Sequence, residues 1–241
     1  MISKYVFANL KMNMTTKEVS EYLKIINDKM FISNVVIFPT SIYIPYFLNQ
    51  NYDVGIQNIF YENNGPYTGE VSPSQARSMG IKYAIVGHSD RKILGEDGTI
   101  INKKLKKCLE NKIKVILCVG ETLEQREMLK TDKVLKKQLL EALRGIEKKD
   151  LKNIFIAYEP VWAVGTNELP LNREINDCVE YIKNICKTYL DGIPFVLYGG
   201  SINEKNIKKL NEINNIDGFL IGASSCNIEK FLKIIDIIEN K

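Results

Sequence analysis

Histidine and tryptophan each occur once in the 241 residues, at His88 and Trp162; proline occurs only seven times, and no apolar run is long. A transmembrane helix needs roughly 20 consecutive apolar residues, so no membrane partner is expected. The N-terminus enters a strand-like segment without the profile of a signal peptide. A single histidine confines any imidazole chemistry to one place. Charge of one sign is also missing: 33 basic and 29 acidic side chains leave +4. They are spread along the chain without a polybasic arm or an acidic tail, which gives nucleic-acid binding no footing. The slight positive excess suits an anionic small molecule. Cys108, Cys118, Cys178, Cys186 and Cys226 make an odd set without a C-x-x-C pair, which argues against a disulfide framework or a metal site. They read as free buried thiols of a soluble, cytoplasmic protein. No linker or low-complexity block divides the chain, so residues 1–241 are expected to form a single domain.

Short continuous apolar runs appear at 5–8, 35–38, 54–56, 83–86, 115–119, 154–158, 195–198 and 219–221. Runs without alternation suit parallel strands covered on both faces. Helical periods lie between them: Val19, Tyr22, Leu23, Ile26 and Met30 after an N-cap at Thr15 or Thr16; Ile175, Val179, Ile182, Cys186 and Tyr189; and Ile228, Phe231, Leu232, Ile235 and Ile238. Eight strand-helix units of about 30 residues each predict a (β/α)8 barrel, which typically takes about 250 residues. The competing open, doubly wound sheet usually needs fewer strands, and no G-x-G-x-x-G turn follows the first strand.

In a barrel of this kind chemistry belongs at the C-terminal strand ends. The first strand ends in Asn9-Leu10-Lys11-Met12-Asn13, whose alternate polar groups share one side of an extended chain. The fourth ends in Gly87-His88-Ser89-Asp90-Arg91, the sixth in Tyr158-Glu159 followed by Pro160, Val161, Trp162, Ala163, Val164, Gly165 and Thr166. Apolar residues so placed would face water unless something lay beneath them, as under a hinged cover over a ligand. Tyr198-Gly199-Gly200-Ser201 and Gly222-Ala223-Ser224-Ser225 follow the last two strands. Their small residues let backbone N–H groups approach a phosphate.

Asn9-Leu10-Lys11-Met12-Asn13, Tyr67-Thr68-Gly69-Glu70, Gly87-His88-Ser89-Asp90-Arg91, Ala157-Tyr158-Glu159-Pro160-Val161-Trp162-Ala163 and Tyr198-Gly199-Gly200-Ser201 stand in one order along the chain. In this the chain resembles the triosephosphate isomerase family from end to end. The resemblance implies a TIM barrel that interconverts dihydroxyacetone phosphate and D-glyceraldehyde 3-phosphate through an enediolate, a step of glycolysis and gluconeogenesis. It makes Glu159 the catalytic base, His88 the electrophile, and Lys11 with Asn9 the electrostatic pair for the substrate oxygens. Gly165, Ser201, Gly222 and Ala223 become the phosphate-binding positions and residues 160–166 the lid, with Val164 and Leu220 crowding Glu159. It also implies a homodimer in which the loop around Thr68 reaches the partner's first-strand loop. No metal or cofactor is implied.

Three departures qualify the resemblance. Asp90 stands where the family has glutamate, leaving the role of this neighbour of Lys11 in doubt. Ala223 replaces a phosphate-loop glycine but keeps its N–H. Asn167-Glu168-Leu169-Pro170 replaces the usual second lid hinge, and Pro170 cannot donate a hydrogen bond to a latch from the Tyr198 hydroxyl. Such hinges also resemble barrel isomerases of four-carbon ketose phosphates, the alternative reading. A noncatalytic phosphate-binding paralogue is the third.

Overall fold

The computed structural model describes residues 4–166 and 168–240. Eight parallel strands, β1 (Tyr5–Asn9), β2 (Asn34–Phe38), β3 (Asp53–Ile56), β4 (Tyr83–Val86), β5 (Lys114–Val119), β6 (Ile154–Tyr158), β7 (Phe195–Gly200) and β8 (Gly218–Ile221), form a closed barrel in sequence order. β1 pairs with both β2 and β8, which closes the sheet and leaves no edge. The helices are α1 (Thr16–Ile26), α2 (Ile44–Phe47), α3 (Pro73–Ser78), α4 (Ser89–Ile93), α5 (Gly98–Glu110), α6 (Leu123–Glu127), α7 (Thr131–Ala142), α8 (Asn172–Leu190), α9 (Ile207–Asn211) and α10 (Ile228–Glu239).

Strand side chains alternate between two apolar environments, which is why the sequence shows unbroken runs. Phe7, Val36, Phe38, Tyr83, Ile85, Ile116, Cys118, Phe155, Ala157, Leu197 and Leu220 fill the barrel interior. Val6, Ala8, Val115, Leu117, Ile154, Ile156 and Tyr158 belong to the larger layer between barrel and helices. Thr15 caps α1 in a reciprocal box with Glu18. The helix ends at Ile26, so Met30 lies beyond it and is 84% exposed instead of continuing the buried stripe. Tyr189 is likewise exposed, beneath the ammonium of Lys136. On α10, Ile234 is buried while Ile228 and Leu232 are only half-buried.

All five cysteines are free, four of them buried. Burial pushes the thiols of Cys108 and Cys186 up to about 12 and that of Cys178 up to about 11. An unfolded thiol titrates near ~8.5, so on raising the pH the unfolded chain loses these protons first. The stability they contribute is complete below that pH and is lost as pH rises toward 11 to 12, by up to about 1.4 kcal/mol per thiol per pH unit. The urea midpoint under reductant is therefore expected to fall between pH 8.5 and 10.5, and less steeply in Cys108→Ala. A midpoint that stays flat would contradict this.

Candidate active site

The inward parity of three strands runs past their ends into polar residues. On β6 Phe155 and Ala157 point inward, and Glu159 is the next residue of that set. On β1 the inward Phe7 is followed at the same spacing by Asn9 and Lys11. On β4 Tyr83 and Ile85 point inward, but the next residue of the set is Gly87. Gly87 has φ +70°, in the left-handed region that glycine adopts freely, and it turns His88 into the barrel mouth. There a cavity of about 190 Å³ brings together Asn9, Lys11, His88, Glu159, Gly165, Ser201, Gly222 and Ala223. It is smaller than the roughly 300–1,000 Å³ of sites for drug-sized ligands. A wider groove between α9 and α10 involves no strand end.

His88, at 4% exposure, has its Nδ1 occupied: the backbone N–H of Asp90 donates to it at 3.1 Å. In the neutral ring the proton then resides on Nε2, the nitrogen facing the cavity. Nε2 lies 3.6 Å from Glu159 Oε1, beyond hydrogen-bond reach, so neither group is committed to the other. The Lys11 ammonium lies 3.1 Å from Asp90 Oδ2, so the shorter carboxylate still reaches its cation. Lys11 is held at φ +50°, a region non-glycine residues occupy at a cost. Its N–H donates to Asn9 Oδ1 at 3.1 Å, and its carbonyl accepts from Thr40 Oγ1 at 2.9 Å and Gln57 Nε2 at 2.8 Å. Thr40 and Gln57 carried no signal in the sequence, since they act on a backbone carbonyl 29 and 46 residues away.

Glu159 is 5% exposed, and its Oε2 is buried without a hydrogen-bond partner among the described residues. Val164 and Leu220 line the cavity with it. Cys118 is a further neighbour that the sequence did not single out. Burial and the Glu159 carboxylate push its thiol well above the ordinary range, so it stays protonated and can donate to that carboxylate. Lys92, on α4, donates to the Cys118 carbonyl at 3.1 Å, and burial pulls its ammonium below the usual lysine value. Gly199 makes the room: a Cβ there would sit 2.7 Å from Glu159 Cγ and 2.9 Å from Oε1.

Beyond β6 the chain runs from buried Pro160 through a 3-10 turn at Val161–Ala163 to Val164 and Gly165, which lie on the cavity wall, and exposed Thr166. The Ser201 hydroxyl donates to the Ala163 carbonyl at 2.7 Å, tying this segment to the loop after β7. Gly222 opens the 3-10 turn Ala223–Cys226, where the Ser224 hydroxyl donates to the Ile202 carbonyl at 2.6 Å. This joins the loops after β7 and β8. Of the segment expected to form the second lid hinge, Asn167 lies outside the described residues. Pro170 is buried, and the Tyr198 hydroxyl is buried with no hydrogen-bond partner among the described residues. Thr68 lies on an exposed loop, not on the cavity wall.

The close approach of Gly199 to Glu159 gives a test. Gly199→Ala is expected to displace the carboxylate and lower kcat/KM by about 10²-fold, since a misplacement of 1 Å can cost that much. Circular dichroism should remain that of the folded barrel. A folded variant with unchanged kcat/KM would show that the carboxylate need not stand where it does.

A family profile described as triosephosphate isomerase matches residues 4–238. Among curated relatives named triosephosphate isomerase, that of Mycoplasmoides gallisepticum is 37% identical over 98% of both chains. That of Thermodesulfovibrio yellowstonii is 38% identical over 98% of this chain and 99% of its own, and one from Clostridium botulinum 36% identical over 96% and 98%. With a closed eight-stranded barrel and a glutamate, a histidine and a lysine gathered at its mouth, the chain belongs to the triosephosphate isomerase family.

Proposed function

We propose that Glu159, His88, Lys11 and Asn9 carry out the interconversion of dihydroxyacetone phosphate and D-glyceraldehyde 3-phosphate. The chain is an isomerase of triose phosphates; the relatives' shared name favours neither the four-carbon substrate nor the noncatalytic paralogue. The observation that carries the assignment is the facing pair of His88 Nε2 and Glu159 Oε1 across the cavity, with His88 Nδ1 already occupied.

Glu159 takes a proton from the carbon next to the substrate carbonyl and returns it to the neighbouring carbon. The charge that develops on oxygen is met by the Nε2–H of His88 and the ammonium of Lys11, and the substrate's hydroxyl proton passes through His88 to the former carbonyl oxygen, so that the new carbonyl forms as the old one becomes a hydroxyl. Asn9 fixes Lys11 through its N–H and shares the cavity wall with it. Gly165, Ser201, Gly222 and Ala223 hold the phosphate. Val164 and Leu220 exclude water from the carboxylate, and a lid of residues 160–166 keeps the enediolate from losing phosphate. Residues 1–241 work as one catalytic domain in the cytoplasm.

A homodimer is part of the proposal. Met12, Ile42, Tyr46, Tyr67, Ile93 and Leu94 are all exposed, and they sit in the segments after β1, β2, β3 and β4. Those strands are neighbours in the barrel, so the apolar residues gather on one side of its rim. The exposed loop carrying Thr68 lies among them and would reach the partner's Asn9 and Lys11.

Glu159→Asp draws the carboxylate back by one methylene and is expected to lower kcat by about 10²-fold or more while leaving phosphate binding nearly intact. His88→Gln should show a similar loss of kcat in a folded protein. Near wild-type rates in either variant would remove that residue from its role. Turnover of glyceraldehyde 3-phosphate should exceed that of tetrulose phosphates by more than about tenfold in kcat/KM, roughly 1.4 kcal/mol of transition-state discrimination. Sedimentation at micromolar concentration should give the mass of a dimer; a fully active monomer would contradict the assembly.

A further inference from the structure

The turn that carries His88 into the site leaves the neighbouring strand short of a partner. β4 ends at Val86, which pairs with Leu117 of β5, and at Gly87 the chain turns away. β5 continues to Val119, and its extended course runs on beside β6: the carbonyls of Val119 and Glu121 accept the backbone N–H groups of Glu159 and Val161 at 2.8 and 3.0 Å. Successive residues of an extended chain present their N–H and C=O to opposite sides. Gly120, between these two, therefore turns both of its polar groups away from β6, toward the side from which β4 has departed.

Gly120 is buried, and a buried peptide group needs a partner for its donor and another for its acceptor. Both come from one side chain. Gln138, on α7, accepts the Gly120 N–H on Oε1 and donates from Nε2 to the Gly120 carbonyl, each at 2.9 Å. A carboxamide carries the donor and the acceptor of a peptide group side by side, so it makes the two bonds that a strand would otherwise make. Leu135, Leu139 and Ala142 of the same helix are buried in the layer between barrel and helices, which seats α7 and makes Gln138 a fixed anchor.

Gly120 in turn abuts Glu159. A Cβ on Gly120 would overlap the Glu159 carbonyl, so the two backbones are in direct contact. The residues just before Gly120 hold Glu159 as well, Val119 through the Glu159 N–H and Cys118 with its thiol beside the carboxylate. A shift of residues 118–120 thus moves the main chain from which the carboxylate projects.

We propose that Gln138 is a positioning residue for Glu159: by replacing β4 as the hydrogen-bonding partner of Gly120, it fixes the end of β5 against which the base stands. This rests on the reading of Glu159 as the base. Gln138 is not on the cavity wall, so its loss acts on the proton transfer and not on phosphate binding.

The test compares full-length wild type with Gln138→Met, which keeps the length of the side chain and removes both bonds, with Gln138→Ala, and with Leu140→Ala, which removes half-buried apolar packing on the same helix. Gln138→Met is expected to lower kcat about tenfold, a fraction of the roughly 10²-fold that a misplacement of 1 Å can cost. KM for glyceraldehyde 3-phosphate and calorimetric Kd for inorganic phosphate should stay within about twofold. Gln138→Ala should behave alike. Leu140→Ala should lower the melting temperature at least as much while leaving kcat within about twofold. Combined with Glu159→Asp, Gln138→Met should cost less than its separate factor, because both displace one carboxylate. Amide hydrogen exchange read by NMR reports placement without turnover: the Gly120 and Glu159 amides should exchange at least about tenfold faster in Gln138→Met. Unchanged exchange, an unchanged kcat in folded Gln138→Met, an equal fall of kcat in Leu140→Ala, or strictly multiplicative factors with Glu159→Asp would overturn the proposal. Wild-type kcat in Glu159→Asp alone would instead remove Glu159 as the base, while the exchange rates still report the hold of Gln138 on Gly120 and Glu159.

Discussion

Closing eight parallel strands into a barrel sends every second side chain of each strand into an interior that has room for little else. That interior is packed with aromatic and branched residues, among them Phe7, Phe38, Tyr83, Phe155 and Leu220. The parity does not stop where the hydrogen-bonded strand stops. Glu159 and Asn9 inherit inward positions from β6 and β1, and Lys11 follows Asn9 at the same spacing. Polar groups that would otherwise be solvated thus meet above a hydrophobic plug that cannot hydrogen-bond them. Their partners must be each other, a few backbone groups, or a ligand.

The unsatisfied carboxylate oxygen of Glu159 follows from this constraint, and so does the care with which the neighbouring groups are held. His88 is fixed through Nδ1 by the backbone of Asp90, whose side chain also reaches Lys11. Lys11 pays for its left-handed backbone with bonds from Asn9, Thr40 and Gln57, drawn from β1 and from the segments after β2 and β3. Such strain persists only where the surroundings over-determine it. The segments after β6, β7 and β8 are joined the same way, Ser224 to Ile202 and Ser201 to Ala163. Rigid placement of this kind is what a proton transfer between adjacent carbons requires, because the geometry must be in place before charge develops.

The strands were legible in the sequence because both faces of each are buried, so apolar runs mark them within a residue or two; β4 and β6 match their runs at both ends. Glu159 directly follows such a run, and His88 and Lys11 stand two and three residues beyond theirs, which is why the sequence singles them out. The helix stripes were read less well at their ends. Helical spacing carries on through Met30 although the helix has stopped at Ile26, and nothing local distinguishes the two. Gly199, Cys118 and Gln57 were not legible, since each acts on a group tens of residues distant that only barrel closure brings near. Asp90 shows the converse. Its shorter side chain reads as a departure, yet the turn after Gly87 brings it to 3.1 Å from Lys11.

The central claim is that a single carboxylate, Glu159, moves a proton between two carbons while His88 and Lys11 hold the enediolate. During that interval the proton resides on the Glu159 carboxyl group and can exchange with solvent. Conversion of unlabelled dihydroxyacetone phosphate in D₂O, followed by proton NMR, tests this most directly. The account predicts deuterium bound to carbon 2 of the glyceraldehyde 3-phosphate formed, and no isomerisation above background by Glu159→Gln. Undiminished turnover by Glu159→Gln, or carbon-bound deuterium appearing at the wild-type rate in that variant, would contradict it.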